Sequence, residues 1–294
     1  MKIQLISPLL TQAALKKKGR KAKAKPIIRS KKIEIEYLSQ LLGITNQCHK
    51  SIIDSIIPIL KQQRISDSQN IQVSDGILDI FLSAMAALRS KMSGVVDTVA
   101  LDIARRVVEQ NKASTDKQLA LIIYKSTGID LSSLMSSEDL AEAVAEAIAA
   151  NVAFIKSLPS EQLDQVEKIV LNGLQSGQRA ESMVEAIKAL GTKSERRAAL
   201  IARDQVGKIT SRLTQIRQQK MGITHYYWSC SRDERVRPLH YARHNKLFAW
   251  NNPPDDGHPG IAINCRCVAI PYIAHLFNPN APTPEDIMEL QMAA

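Results

Sequence analysis

The chain has 294 residues, 45% of them hydrophobic and only 4% aromatic, with a net charge of +10. That length and apolar share suffice for a packed core, and the Ala, Leu, Ile, Gln, Lys and Glu content favours helices with aliphatic seams. No run of about 18 apolar residues is present to span a bilayer, and four cysteines are too few for a secreted disulfide scaffold.

The opening, MKIQLISPLLTQAAL, is interrupted by Gln4, Ser7, Pro8 and Gln12 and runs into a lysine cluster, which is unlike a signal peptide. Synthesis in a reducing cytoplasm is the expectation. Ten basic residues, Lys16, Lys17, Lys18, Arg20, Lys21, Lys23, Lys25, Arg29, Lys31 and Lys32, lie between positions 16 and 32 without an acidic residue among them. They account for the whole excess of 39 basic over 29 acidic residues, so the protein reads as a neutral body with a cationic arm over 1–33. Lys16, Lys17, Lys18, Arg20, Lys21, Lys23 and Lys25 are the candidate nucleic-acid contacts, neutralising phosphate without reading sequence. A solubilising tail, or a segment docked on an acidic protein, is the alternative reading.

From Ile33 apolar residues recur at helical spacing through Leu60, with Gly43 and Pro58 as expected bends. Cys48 and His49 fall on this pattern and read as packing residues. A loop is expected over 66–72, then a helix from Asp75 to about Asn111 and a third from Asp116 to Lys125, stopped at Gly128. Further helices are expected over 138–158, 161–174 and 179–190, broken near Ser160 and Gly177. Thr192 and Glu195 have the spacing of a capping box for a seventh helix, which Gly222 ends. Arg196, Arg197, Arg203, Lys208, Arg212, Arg217 and Lys220 on that helix read as a solvated face, or else as a phosphate-binding one.

Chemistry absent from the first two thirds is concentrated near the C-terminus. Strands are expected over 224–230, 246–250 and 264–270, separated by the loop NNPPDDGHPGI. In a strand, Cys265 and Cys267 face one side while Arg266 faces the other, an arrangement better suited to a shared soft metal than to a disulfide. His240 and His258 complete a tetrahedral Zn2+ set, with Cys230 in reserve; packed free thiols and loop-bonded histidines are the alternative. Asp233, Arg235, Arg237 and Arg266 read as a structural motif of bidentate Arg–carboxylate pairs. A metal-independent phosphodiesterase built on His240 and Arg237 or Arg266 lacks a convincing second acid–base group, so no catalytic residue is assigned.

The series Ala202, Arg203, Asp204, Gln205, Gly222, Tyr227, Trp228, Asp233, Arg235, Val236, Arg237 and His240 then continues. Phe248, Pro254, Gly257, His258, Pro259, Gly260, Asn264, Cys265, Arg266 and Cys267 follow in order. In order and spacing the series resembles the C-terminal domain of the phage Mu F-like, or head morphogenesis, minor head protein family. This chain has His244, Asn245 and Lys246 where that family commonly has Gly in the turn, and Asn tolerates positive φ well; Cys230 is not a usual family residue.

The resemblance implies a non-enzymatic virion component inside the phage head near the portal, acting in head morphogenesis and in packaging or delivery of DNA. Portal protein, major capsid protein and packaged double-stranded DNA would be its partners. A virion-borne nuclease-like effector and a nonspecific DNA-binding protein are the alternatives. The expected architecture is mainly α: a basic arm over 1–33, a helical portal- or capsid-docking region over 34–190, and a small α+β domain with a short sheet over 191–294.

Overall fold

The computed structural model describes residues 24–67, 74–128, 130, 132, 135, 140–274 and 280–293. Of the arm residues singled out above, Lys16, Lys17, Lys18, Arg20, Lys21 and Lys23 lie outside the described residues, whereas Lys25 is described and exposed. Four long helices, α1 (Lys31–Asp67), α2 (Ser74–Thr127), α3 (Ala141–Gln175) and α4 (Ala180–Lys220), precede a small sheet. The strands are β1 (His225–Ser229), β2 (Leu247–Ala249) and β3 (Val268–Pro271), with the short helix α5 (Pro238–Ala242) between β1 and β2 and α6 (Pro284–Met292) near the end. The mainly α architecture with a small C-terminal sheet is therefore as expected. No helix among the described residues is long and apolar enough to cross a membrane.

The expected helices fuse pairwise. Pro159 lies inside α3, as Pro58 does inside α1. A proline in a helix interior costs about 3 kcal/mol, but each is flanked by side chains that reach the core. Ile56 and Leu60 beside Pro58 are fully buried, and Leu158 and Leu163 beside Pro159 nearly so. At roughly 1.5–3 kcal/mol per buried aliphatic side chain, two such neighbours outweigh the lost hydrogen bond. The capping-box spacing at Thr192 is likewise passed through by α4. Gly222, at φ +78°, does stop α4 as expected.

By contact the chain forms two compact units, a helical unit of 34–107 and 146–203, and a mixed unit of 24–33, 108–145 and 204–293 among the described residues. The helical unit buries Cys48, Ile52, Ile56, Leu60, Phe81, Met85, Leu88 and Met92 against Leu163, Val166, Val170, Met183 and Ile187. Within it the Tyr37 hydroxyl donates to Asn151 Oδ1 at 3.0 Å. Cys48 is a core residue, and His49 bonds the Gln162 amide at 3.2 Å.

The mixed unit has the sheet order β2-β1-β3, antiparallel throughout. Even-numbered residues of β1, Tyr226 and Trp228, face its core, opposite Phe248 of β2 and Ala269 of β3. The edge strand β2 is closed by a side chain: Gln291 of α6 accepts from Leu247 N at 2.6 Å and donates to Leu247 O at 3.2 Å, occupying groups that an exposed edge leaves open. Thr283 and Asp286 form a reciprocal capping box that starts α6. A second apolar cluster joins Ile27 of the N-terminal segment to Leu119, Ile123, Met221, Ile223 and Ile273. There the Gln118 amide pairs with both backbone groups of Ile28, at 3.0 and 2.9 Å. Ile27 and Ile28 of the N-terminal segment are thus fixed on this unit.

Candidate metal centre

Helix α4 carries the site. Three of its side chains, at intervals of seven residues and so on one face, each hold a different part of the C-terminal stretch. Asp204 Oδ1 accepts from Asn264 N at 3.0 Å, the Ser211 hydroxyl donates to Pro259 O, and Gln218 Oε1 accepts from the Trp250 indole at 3.1 Å. Gly260, at φ +89°, presses against this face so closely that a Cβ would stand 2.9 Å from Ser211 Cβ. The basic residues of α4 that belong to the mixed unit are engaged rather than forming a free cationic stripe. Lys208 pairs with Asp204 at 2.8 Å, and Arg217 is fully buried in a two-point pair with Asp116 at 2.7 and 2.9 Å. In the helical unit Arg197 pairs with Glu161. These pairings correct the expectation of a solvated or phosphate-binding helix face at Arg217.

Cys265 and Cys267 precede β3 rather than lying within it, because Cys265 N closes a turn onto Ala262 O at 2.9 Å and Asn264 takes φ +58°. Their sulfurs nonetheless face one side: each lies 3.4 Å from His240 Nδ1. His240 stands on α5, which Pro238 opens, and is buried at 2% exposure. Its Nε2 meets Asp256 Oδ2 at 2.8 Å. With the Nε2–H donating to that carboxylate, the Nδ1 lone pair points at the two sulfurs, the carboxylate–histidine arrangement that orients a metal-bound imidazole.

The ligand atoms of His240, Cys265 and Cys267 all lie within 4.8 Å of one another. A tetrahedral zinc with Zn–S of about 2.3 Å and Zn–N of about 2.0 Å has S···N edges of about 3.5 Å, and the two 3.4 Å separations are compatible with such an ion. The three residues form a His/Cys/Cys site compatible with zinc.

Electrostatics around the site favour a thiolate. Cys265 is lowered to about 5, first by the hydrogen bond from Cys267 and then by the N–H groups of Cys267 and Gly260, which outweigh its burial. Cys267 is pushed up, first because its thiol is held by the hydrogen bond to Cys265, then by burial and by the negative charge of Cys265 beside it. Burial alone would raise Asp256, but the hydrogen bonds from Arg243 and His240 together hold it below the usual carboxylate range. Trp228 meets the His240 ring edge-on at 5.0 Å, and Arg243 lies 5.1 Å over the Trp228 ring. A cavity of about 210 Å³ borders the two cysteines, with Arg29, Gly207, Thr210, Ser211 and Thr214 also in its wall.

His258 is not part of this cluster, which corrects the fourth ligand expected from sequence. Its Nδ1 bonds the Tyr226 hydroxyl at 2.9 Å, its ring also bonds the Trp250 backbone, and burial lowers its basicity. It packs edge-on to Tyr226 and Trp250, at 5.6 and 4.8 Å between ring centroids, as a member of the aromatic core. Of the arginine motif, Asp233 takes a two-point pair from Arg266, whose hydrogen bond holds its carboxyl below the usual range. Arg237 donates to Ile263 O at 2.8 Å, whereas Arg235 contributes its backbone N–H to Asp233 and leaves its side chain exposed. Asn245 takes φ +62°, as its place in the turn anticipated. Asp256, Arg243, Asp204, Ser211 and Gln218 escaped the sequence reading. Of these only Asp204 stood in a recognised series, and nothing in the spacing of Asp256 ties it to His240.

Residues 164–270 match the family described as "Phage Mu protein F like protein". A Haemophilus influenzae protein described as "Uncharacterized protein" is 34% identical over 262 residues, which cover 87% of this chain and 57% of that relative. The chain therefore spans little more than half of that relative's length. No solved structure matches the chain. The match takes in the face of α4, the sheet, α5 and both cysteines, and over residues 164–270 the chain is similar to the Phage Mu protein F like family.

Proposed function

We propose that this protein acts in phage head morphogenesis as a minor component of the virion, with the mixed unit serving as a metal-stapled structural clasp rather than as an enzyme. The family match over 164–270 carries the reading. Its placement inside the head near the portal, docked on portal or major capsid protein, is part of the same proposal.

The side chains that chemistry would require are engaged in holding the fold. Arg266 grips Asp233, Arg237 holds the Ile263 carbonyl, and His258 is locked between Tyr226 and the Trp250 backbone. His240 is held by Asp256 and faces two thiols. A Zn2+ ion bound there would fasten α5 to the turn before β3, two segments that share no regular hydrogen-bond ladder. The basic arm supplies the contact with packaged double-stranded DNA: seven Lys and Arg residues stand within 1–23, and dense phosphate in a filled head keeps weak nonspecific contacts occupied.

Localisation in purified phage heads tests the proposal. Finding the protein in heads, and losing normal heads when its gene is deleted, is the expected outcome; heads that assemble and package normally without it refute it. His240→Ala and Arg237→Ala then separate the enzymatic alternative, since an enzyme loses nuclease activity while heads remain intact. For the arm, full engagement of seven charges predicts a salt-dependence slope of roughly −6 in log–log form. Duplex binding undiminished by removal of residues 1–23 rules out a role for the arm in DNA contact.

A further inference from the structure

Three ligands are in place, and zinc in a structural site takes four. The β1–β3 register identifies the fourth. Ser229 pairs with Val268 at the end of the ladder, and one step beyond it Cys230 and Cys267 come opposite each other. Directly opposed residues have Cβ atoms about 4.5–5.5 Å apart, and successive side chains alternate between faces. Tyr226 and Trp228 are buried on one face of β1, so Cys230 shares it; Ala269 is buried on the matching face of β3, so Cys267 shares it too.

Two further observations place Cys230 at the cluster. It is 7% exposed and packs in the same apolar group as Trp228, Cys265 and Cys267. Its backbone is pinned, because Cys230 N donates to His244 Nδ1 at 3.1 Å.

We propose that Cys230 is the fourth ligand, closing a Cys3His zinc site with His240, Cys265 and Cys267. This rests on the metal reading above and deepens it. The Cys230 sulfur stands outside the 4.8 Å circle of the other three, and rotation about χ1 from one staggered well to another carries a thiol sulfur on the order of 3 Å with its backbone fixed. The cysteines bind as thiolates, any S–H proton passing to solvent as the Zn–S bond forms. The resulting centre, two positive charges against three thiolates, carries one net negative charge, and Arg243, over Trp228, balances the Asp256 carboxylate behind His240. Such a site ties together the end of β1, helix α5 and the turn before β3.

The test uses the full-length chain loaded with Zn2+ or Co2+. X-ray absorption of the zinc protein is expected to fit three sulfurs and one nitrogen; two sulfurs with two lighter atoms overturn the proposal without touching the metal reading. In the cobalt protein, Cys230→Ser is expected to lower the thiolate charge-transfer band by about one third, as a change from three sulfurs to two requires. Its Zn2+ affinity is expected to weaken by at least the roughly tenfold that even an outer-shell partner commands. An unchanged band and affinity refute the role of Cys230, whereas a wild-type chain that takes up neither ion refutes the metal reading itself. The absorption measurement needs no variant, so misfolding of Cys230→Ser leaves the proposal open to refutation.

Discussion

Replacing Arg217 by Met removes a fully buried guanidinium from a two-point pair with Asp116. Deleting one partner of a buried pair costs about 3–5 kcal/mol, chiefly because the other charge is left in a poorly solvated place. Asp116 keeps 19% of its side chain exposed and retains Lys112 at 3.1 Å, which puts Arg217→Met near the lower end, about 3 kcal/mol. Asp116→Asn strands the guanidinium instead and belongs near the upper end, about 5 kcal/mol. The double variant Arg217→Met with Asp116→Leu should recover most of either loss, since a hydrophobic replacement of both partners leaves no orphan. Urea unfolding followed by circular dichroism measures all three. With a slope of about 1–3 kcal/mol per M, a 3 kcal/mol loss moves the transition of the mixed unit by about 1–3 M. Two single variants that each cost under about 1 kcal/mol, or a double variant no better than the worse single, would refute the buried-pair reasoning and return Arg217 to the solvent face.

Gly260→Ala combines a positive φ with a contact at 2.9 Å, and should cost about 1–3 kcal/mol in thermal unfolding; Gly43→Ala, where a Cβ meets nothing within 4 Å in a helix interior, should instead gain about 0.5–1 kcal/mol. Asp256→Asn leaves the three metal ligands intact but removes the charged acceptor behind His240, so zinc affinity measured by competition with a chelator should fall roughly 10–100-fold. Burial raises Cys48 from 9.0 to about 12, so the neutral thiol is the form that the fold prefers. Its contribution is complete below pH 9 and is lost as pH rises toward about 12; in unfolding titrations Cys48→Ala should flatten the alkaline slope of the helical unit. At pH 8 the native Cys48 should resist a disulfide reagent that reaches it after unfolding.

Helical character was legible because it is a summed property: the seam Phe81, Met85, Leu88, Met92 and Val96 repeats over many turns, and all five are buried. The breaks at Gly128, Gly177 and Gly222 were legible too, whereas those expected near Ser160 and at Thr192 are not made, because Pro159 and Thr192 are local signals whose effect depends on what their neighbours bury. Leu163 settles the matter at Pro159, since it packs in one cluster with Cys48, Ile52 and Phe81, far away in sequence. At the metal centre the same division holds. Cys265, Cys267 and His240 announce themselves by residue type, but His258 was assigned by type too, and only the fold brings Tyr226 and Trp250 to claim its ring. Asp256 was invisible for the opposite reason: one of two adjacent aspartates in an irregular loop, it has no period or spacing to distinguish it.

The seven-residue stripe of Asp204, Ser211 and Gln218 explains why motifs so far apart in the chain stand together in one site. Each bond grips a different point of the loop system: the backbone before Cys265, the carbonyl before Gly260, and the indole beside β2. None of the three is itself a candidate ligand, yet each fixes a segment that carries or abuts one. Gly260 belongs to the same mounting, since its missing Cβ lets the loop sit against α4 and aims its N–H at the Cys265 sulfur, at 3.4 Å. A metal at this point therefore does not hold a loose loop in place unaided; it joins α5 to a turn that α4 has already positioned. For that reason loss of the ion should loosen α5 first and leave α4 and the sheet intact, and hydrogen exchange on the zinc-loaded and chelator-treated protein should show protection lost at Tyr241, whose N–H closes α5 onto Arg237, before it is lost at Trp228 in β1.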